Sequence, residues 1–116
     1  MPSNDSRVLD LTNLDREVVE PGYEREKFRI KVGDSDESML IEFTDPQELP
    51  WDVVVTMDST PRRFFSVAIE DPDQKTFILR LDRDKALKLW QMKYIMTEYR
   101  SHFGIDAEGN DVASRR

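Results

Sequence analysis

Few side chains in this chain can carry chemistry, and each has a neighbourhood that limits it. The single histidine is His102, and there is no cysteine. Thiolate nucleophiles, disulfides and Cys/His metal sites are therefore excluded. A Ser-His-Asp arrangement would need His102 in a core-facing cleft, and no spacing here indicates one. At the end of a helical run, His102 and Arg100 instead suit the negative pole of a helix C-terminus. Asp34, Asp36 and Ser38 resemble the first ligand positions of a calcium loop. The pattern then fails, with Met39 where glycine is required and Asp45 where a bidentate glutamate belongs. A polar hairpin turn is the better reading.

The four glycines are scattered, so no phosphate-cradling loop is present, and the 24 Asp and Glu residues offer no distinctive acid–base pair. These residues point away from an enzyme, with no cofactor and no metal. Arg80, Arg83, Lys85 and Lys88 form a local basic cluster in an acidic chain. They are either a solvated loop and first turn, or a contact for an acidic partner helix that would weaken with salt.

The element best able to position such groups is Asp84–Phe103, the longest run of helix formers without Gly or Pro. At 3.6 residues per turn, Leu89, Met92, Ile95, Met96, Tyr99 and Phe103 fall on one broad face. Leu87, Trp90 and Tyr94 fall on a second, roughly opposite face. A helix that only covers a core needs one stripe, so this one is expected to meet something on two sides. The second face either meets a β-hairpin formed upstream or forms an interface, with Leu87, Trp90, Tyr94, Arg83 and Lys88 as candidate partner-binding residues. Asp82 or Asp84 is expected to cap this helix and Gly104 to end it.

Upstream, Phe28, Ile30 and Val32 alternate with basic residues, and Met39, Ile41 and Phe43 supply a matching apolar face. The short Gly33–Ser38 linker makes the two an antiparallel hairpin. A lone hairpin is marginal in water, so its apolar face must rest on helices. Pro50 favours a short helix at Leu49–Met57, against the strand signal of its three valines. Ser59-Thr60-Pro61 opens a helix that turns Phe64, Phe65, Ala68 and Ile69 inward. Asp71 with Gln74 opens another, carrying Phe77, Ile78 and Leu81, although a strand through Thr76–Leu81 is the competing reading. Val8, Leu11 and Leu14 lie about a helical turn apart, in a short helix or a segment that orders on a partner. Pro21-Gly22 closes that segment as a turn.

The expectation is an α+β protein in which an N-terminal antiparallel hairpin packs on three to four helices, the last one longest. Residues 1–23 form a flexible or partner-ordered arm, 24–105 a single domain and 106–116 a disordered tail. The 116 residues suit one domain. The formal charge of −7 and the pI near 4.7 oppose nucleic-acid binding. No apolar run approaches the ~20 residues that span a bilayer, and the N-terminus lacks a signal-peptide pattern.

Several pieces in order resemble the tail assembly chaperones of long-tailed (siphovirus-type) bacteriophages infecting actinobacteria. They are Leu9-Asp10-Leu11-Thr12-Asn13-Leu14, the β element Phe28–Phe43, Glu48-Leu49-Pro50-Trp51-Asp52-Val53-Val54, Tyr99-Arg100-Ser101-His102-Phe103-Gly104, and the polar tail Glu108–Ser114. The Gly33–Ser38 linker makes the hairpin longer than the family pattern. The resemblance implies a non-enzymatic protein that binds and solubilises the tape-measure protein, aids assembly of the tail tube and acts in the host cytoplasm, absent from the mature virion. It also implies contact with the tail-tube protein and a longer frameshifted form to which the present chain would be the short counterpart; self-association is an expectation apart from the resemblance. The competing readings are a small structural virion component, such as a head–tail connector or minor tail subunit, and an acidic inhibitor that mimics nucleic-acid charge.

Overall fold

Phe28, Ile30 and Val32 alternate with Arg29, Lys31 and Gly33, and this period of two builds strand β1, Phe28–Gly33. It pairs antiparallel with β2, Ser38–Phe43, with Phe28 opposite Phe43, Ile30 opposite Ile41 and Val32 opposite Met39. The computed structural model describes residues 8–34, 36–81, 87–106 and 110–111. The hairpin turn is held by Asp34, whose Oδ1 accepts from the N–H groups of Asp36 and Glu37 at 2.9 and 2.8 Å. These bonds commit Asp34 to the turn, as the polar-loop reading expects. The outer edge of β2 is closed by the helices. Glu42 N–H donates to Gln74 Oε1 at 2.7 Å, and Thr44 N–H donates to the Ala68 carbonyl at 2.8 Å.

Beyond β2, Asp45 caps a 3₁₀ turn at Pro46–Glu48. Three short helices follow: α2, Trp51–Val55; α3, Pro61–Ala68; and α4, Pro72–Arg80. Pro50 at the N-cap of α2, and Pro61 and Pro72 as the first residues of α3 and α4, fix φ at each start, and the valine run of α2 is helical because Val53 and Val54 are buried there. Helix thus prevails over strand at both ambiguous stretches. Thr60 is the N-cap of α3, but its hydroxyl donates back to the Thr56 carbonyl at 2.9 Å and leaves the α3 amides uncapped. Asp71 does cap α4, accepting from Asp73 and Gln74 at 2.9 and 3.1 Å. Gln74 does not complete the expected capping box, because its side chain is drawn to the edge of β2. Asp71→Ala is expected to cost about 1 kcal/mol, read as a lower urea midpoint with an unchanged slope.

The last helix, α5, runs Leu89–Phe103 and is the longest. It begins later than the sequence pattern from Asp84 indicated, and the expected caps Asp82 and Asp84 lie outside the described residues. Its N-cap is Lys88, whose N–H donates to Gln91 Oε1 at 2.7 Å. A lysine side chain cannot accept in return, so only half of a capping box forms. Gly104 ends the helix at φ 68°, its N–H reaching the Arg100 and Ser101 carbonyls.

The core is a cluster in which Ile41, Phe64, Phe65, Ala68, Ile69, Ile78 and Tyr99 are wholly enclosed. From α5 it takes Ile95, Met96, Tyr99 and Phe103, with Met92 packed at its margin. Leu89 is a correction. It shares the helical phase of these residues but is 70% exposed, because it is the first residue of α5 and stands more than a turn before the buried run that opens at Ile95. Phe77 and Ile78 of α4 are buried as expected, and Leu81 is partly covered.

The segment before β1 is strapped to the end of α5. Arg25 Nη1 donates to the Phe103 carbonyl at 3.0 Å, and His102 Nε2 lies 2.6 Å from the Glu26 carbonyl. A carbonyl only accepts, so that ring nitrogen carries the proton. His102 thus stands in the last turn as the dipole favours, but it bridges to a second segment. Val8–Leu14 is not helical; the helix of the arm is α1, Arg16–Val19. Arg16 ties α1 to the 3₁₀ turn through Glu48 at 2.6 Å and Asp45 at 3.5 Å, with its guanidinium over the Tyr23 ring. The architecture is α+β: a two-stranded antiparallel hairpin followed by a 3₁₀ turn and four α-helices among the described residues, the last one longest.

Candidate functional site

Strand β1 and helix α5 do not close against each other along their whole length. Near the start of α5 they leave an open groove of about 810 Å³. Its apolar lining includes Ile30 and Val32 of β1, Leu81 after α4, Leu87 just before α5, and Trp90 and Tyr94 in the first turns of α5. The sequence forces this separation. Ile95, Met96 and Tyr99 pull the second half of α5 onto the core, while Trp90 and Tyr94 sit on the other helical face.

Three of the five candidate partner-binding residues thus converge. Leu87 is half-buried, while Trp90 and Tyr94 are 65% and 62% exposed, too open to be counted as core. Lys88 is exposed at the N-cap of α5 and does not line the groove. Arg83 lies outside the described residues, as does Lys85. The alternative in which Leu87, Trp90 and Tyr94 meet the hairpin holds in part: Leu87 packs against the core, while Trp90 and Tyr94 stay open on the groove wall. Sequence reasoning missed Ile30, Val32 and Leu81 as groove residues. The alternation that marks Ile30 and Val32 as inward-facing does not reveal that their inward face is only partly covered. Trp51 is 78% exposed at the start of α2 and lies outside the groove lining.

The charges around the groove are partly neutralised. Arg80 pairs with Glu37 at 3.2 Å and stacks over Phe77. Arg29 pairs with Glu42 at 2.7 Å, and this hydrogen bond holds the Glu42 carboxyl below its ordinary range. Lys31 and Lys88 make no ion pair with the described residues. The groove is therefore apolar within, and its charged rim is mixed, with Arg29, Lys31 and Arg80 set against Asp34, Glu37 and Glu98.

Among the described residues no three His, Asp or Glu side chains come together as a metal cage. No described helix is long and apolar enough to cross a membrane. The groove presents exposed aromatics over an apolar floor. Comparison of the chain with protein-family models, with curated proteins and with solved structures finds no match in any of the three.

Proposed function

We propose that this chain is a non-enzymatic assembly chaperone of the phage-tail kind, which binds the tape-measure protein through the β1–α5 groove, keeps it soluble and aids tail-tube assembly. One observation carries the binding part of this reading: Trp90 and Tyr94 stand exposed on the wall of an apolar groove. Two large aromatics left in water cost stabilisation that a docked apolar stripe would recover, at roughly 1.5–3 kcal/mol for each large side chain fully buried. Aromatics in such positions dominate binding energy at interfaces, and a long amphipathic partner presents a matching apolar face. The order of motifs along the chain supports the phage-tail assignment.

The test is co-expression with the tape-measure protein of the same gene region, followed by pull-down and affinity measurement. Wild-type protein is expected to retain the tape measure in solution. Trp90→Ala and Tyr94→Ala should each weaken binding about 30-fold, the equivalent of roughly 2 kcal/mol at a hot spot. Their unfolding free energy should stay within about 0.5 kcal/mol of wild type, as for other surface changes. If both variants unfold, the residues are core and the groove is not the site. If no tape-measure protein is retained, the chaperone reading fails. Recovery in stoichiometric copies from purified particles would make the protein a structural virion subunit instead.

A further inference from the structure

We infer that two copies of this chain pair by strand exchange, the arm segment Val8–Thr12 of one adding to the outer edge of β1 in the other. The inference goes beyond the proposed function: the arm occupies the same groove, so the dimer is the partner-free state and a docked partner displaces the arm.

The hydrogen-bond pattern identifies the open edge. Glu42 N–H leaves the hairpin for Gln74, so Arg29 and Glu42 form a pair whose backbone groups face away from each other. By alternation, Lys31 opposite Leu40 and Gly33 opposite Ser38 are pairs of the same kind. The Asp34 N–H to Glu37 carbonyl bond, at 2.8 Å, falls in the complementary set and agrees with this phase. The N–H and C=O of Arg29 and Lys31 therefore point outward from β1, and no described residue bonds to them. Helices α3 and α4 close the other edge of the hairpin, but this one opens onto the groove, which every residue of β1 lines. An uncovered edge is a template for one more strand.

The groove also specifies what that strand must carry. Side chains of an added strand alternate between the Ile30/Val32 face, toward Trp90 and Tyr94, and the face of Arg29 and Lys31. Apolar residues are required on the first face, and an acid opposite Lys31 is favoured on the second. Leu9-Asp10-Leu11 has this order. Antiparallel placement of Asp10 opposite Lys31 puts Thr12 opposite Arg29 and Val8 opposite Gly33, and directs Leu9 and Leu11 into the groove. In the single chain, Val8 and Leu9 are more than four-fifths exposed, at 82% and 85%, and Leu11 is 66% exposed. The arm is thus an unpartnered apolar segment on the same molecule as an unpartnered apolar groove. An exposed turn in which Asp10 accepts from Thr12 N–H must open, a bond that water replaces readily. Two arms seated on two edges close a twofold contact.

The experiment is light scattering combined with amide hydrogen exchange on the full chain over a range of concentrations. The mass is expected to rise from 13.7 kDa to twice that value. The amides of Arg29, Lys31 and Gly33 should slow about tenfold or more in the same concentration window. Lys31→Pro removes one outward N–H and leaves the β2 ladder intact, as proline is tolerated on an open strand edge. It should be monomeric, with an unchanged circular dichroism spectrum. The double variant Leu9→Ser/Leu11→Ser alters only exposed side chains and should also be monomeric, which keeps the test decisive if the proline variant misfolds. The inference is overturned by a wild type that stays monomeric at every concentration. It is equally overturned by a dimer that persists in the double-serine variant, or by edge protection in the monomer, which would place the arm in its own groove.

Discussion

Tyr99→Ala is expected to lower the unfolding free energy by about 3–5 kcal/mol, the range for removing a large buried aromatic. The ring is fully enclosed, with Phe28, Phe43, Phe64 and Phe103 around it at centroid distances of 5.0–5.8 Å. It therefore joins both strands and α3 to α5, and its loss opens a cavity where no single neighbour can collapse. Whole domains are stable by only about 5–15 kcal/mol, so the variant should unfold at a much lower urea concentration. Tyr99→Phe isolates the hydroxyl, which donates to the Thr44 carbonyl at 2.6 Å. It should cost about 1–3 kcal/mol, because a carbonyl at the end of β2 loses its partner.

The same hydroxyl predicts a pH dependence. Burial raises its pKa well above the ordinary value of 10, with a smaller contribution from nearby Asp45. The unfolded chain therefore releases this proton at lower pH than the native one. Stability is fully present below pH 10 and declines as pH rises above it. Tyr99→Phe should flatten this alkaline decline, and urea titrations across that range read the difference. An unaltered slope would place the titration elsewhere.

The second large effect is expected at Gly33. Its φ is +116°, and a Cβ there would lie 2.2 Å from the Glu37 carbonyl oxygen, a backbone atom that cannot swing aside. Gly33→Ala should therefore cost more than the roughly 1–3 kcal/mol of a strained backbone position alone. Gly22 is the control, because it also has a positive φ, +71°, but has nothing within 4 Å. Gly22→Ala should be the milder change in parallel denaturation curves. Equal losses at the two positions would mean that the hairpin turn gives way without cost.

Much of the architecture follows from local chemistry that the sequence states directly. Alternation at Phe28–Val32 and Met39–Phe43 determines two strands and their register, since slipping by one residue would turn Phe28 and Phe43 to solvent. Pro61, Pro72 and Asp71 determine where α3 and α4 begin, and Gly104 determines where α5 stops. The inward set Phe64, Phe65, Ala68 and Ile69 was likewise legible, because helical period and apolar type agree there. The second face of α5 was legible as a face, through the spacing of Leu87, Trp90 and Tyr94.

Other features depend on what stands across from a residue, which no local pattern records. Leu89 has core spacing, yet it is exposed because the part of α5 that packs into the core begins only at Ile95. Gln74 has the spacing of a capping-box residue, yet it serves β2, because α4 packs on the hairpin and the Glu42 N–H there donates to its side chain. Ile30 and Val32 face inward by alternation, yet they line a groove, because only the second half of α5 closes on β1. The sequence by itself determined the two strands, the helices that follow them, the caps at Asp71 and Gly104 and the apolar faces. Tertiary structure decided which faces were covered, since burial is a property of the partner surface as much as of the residue.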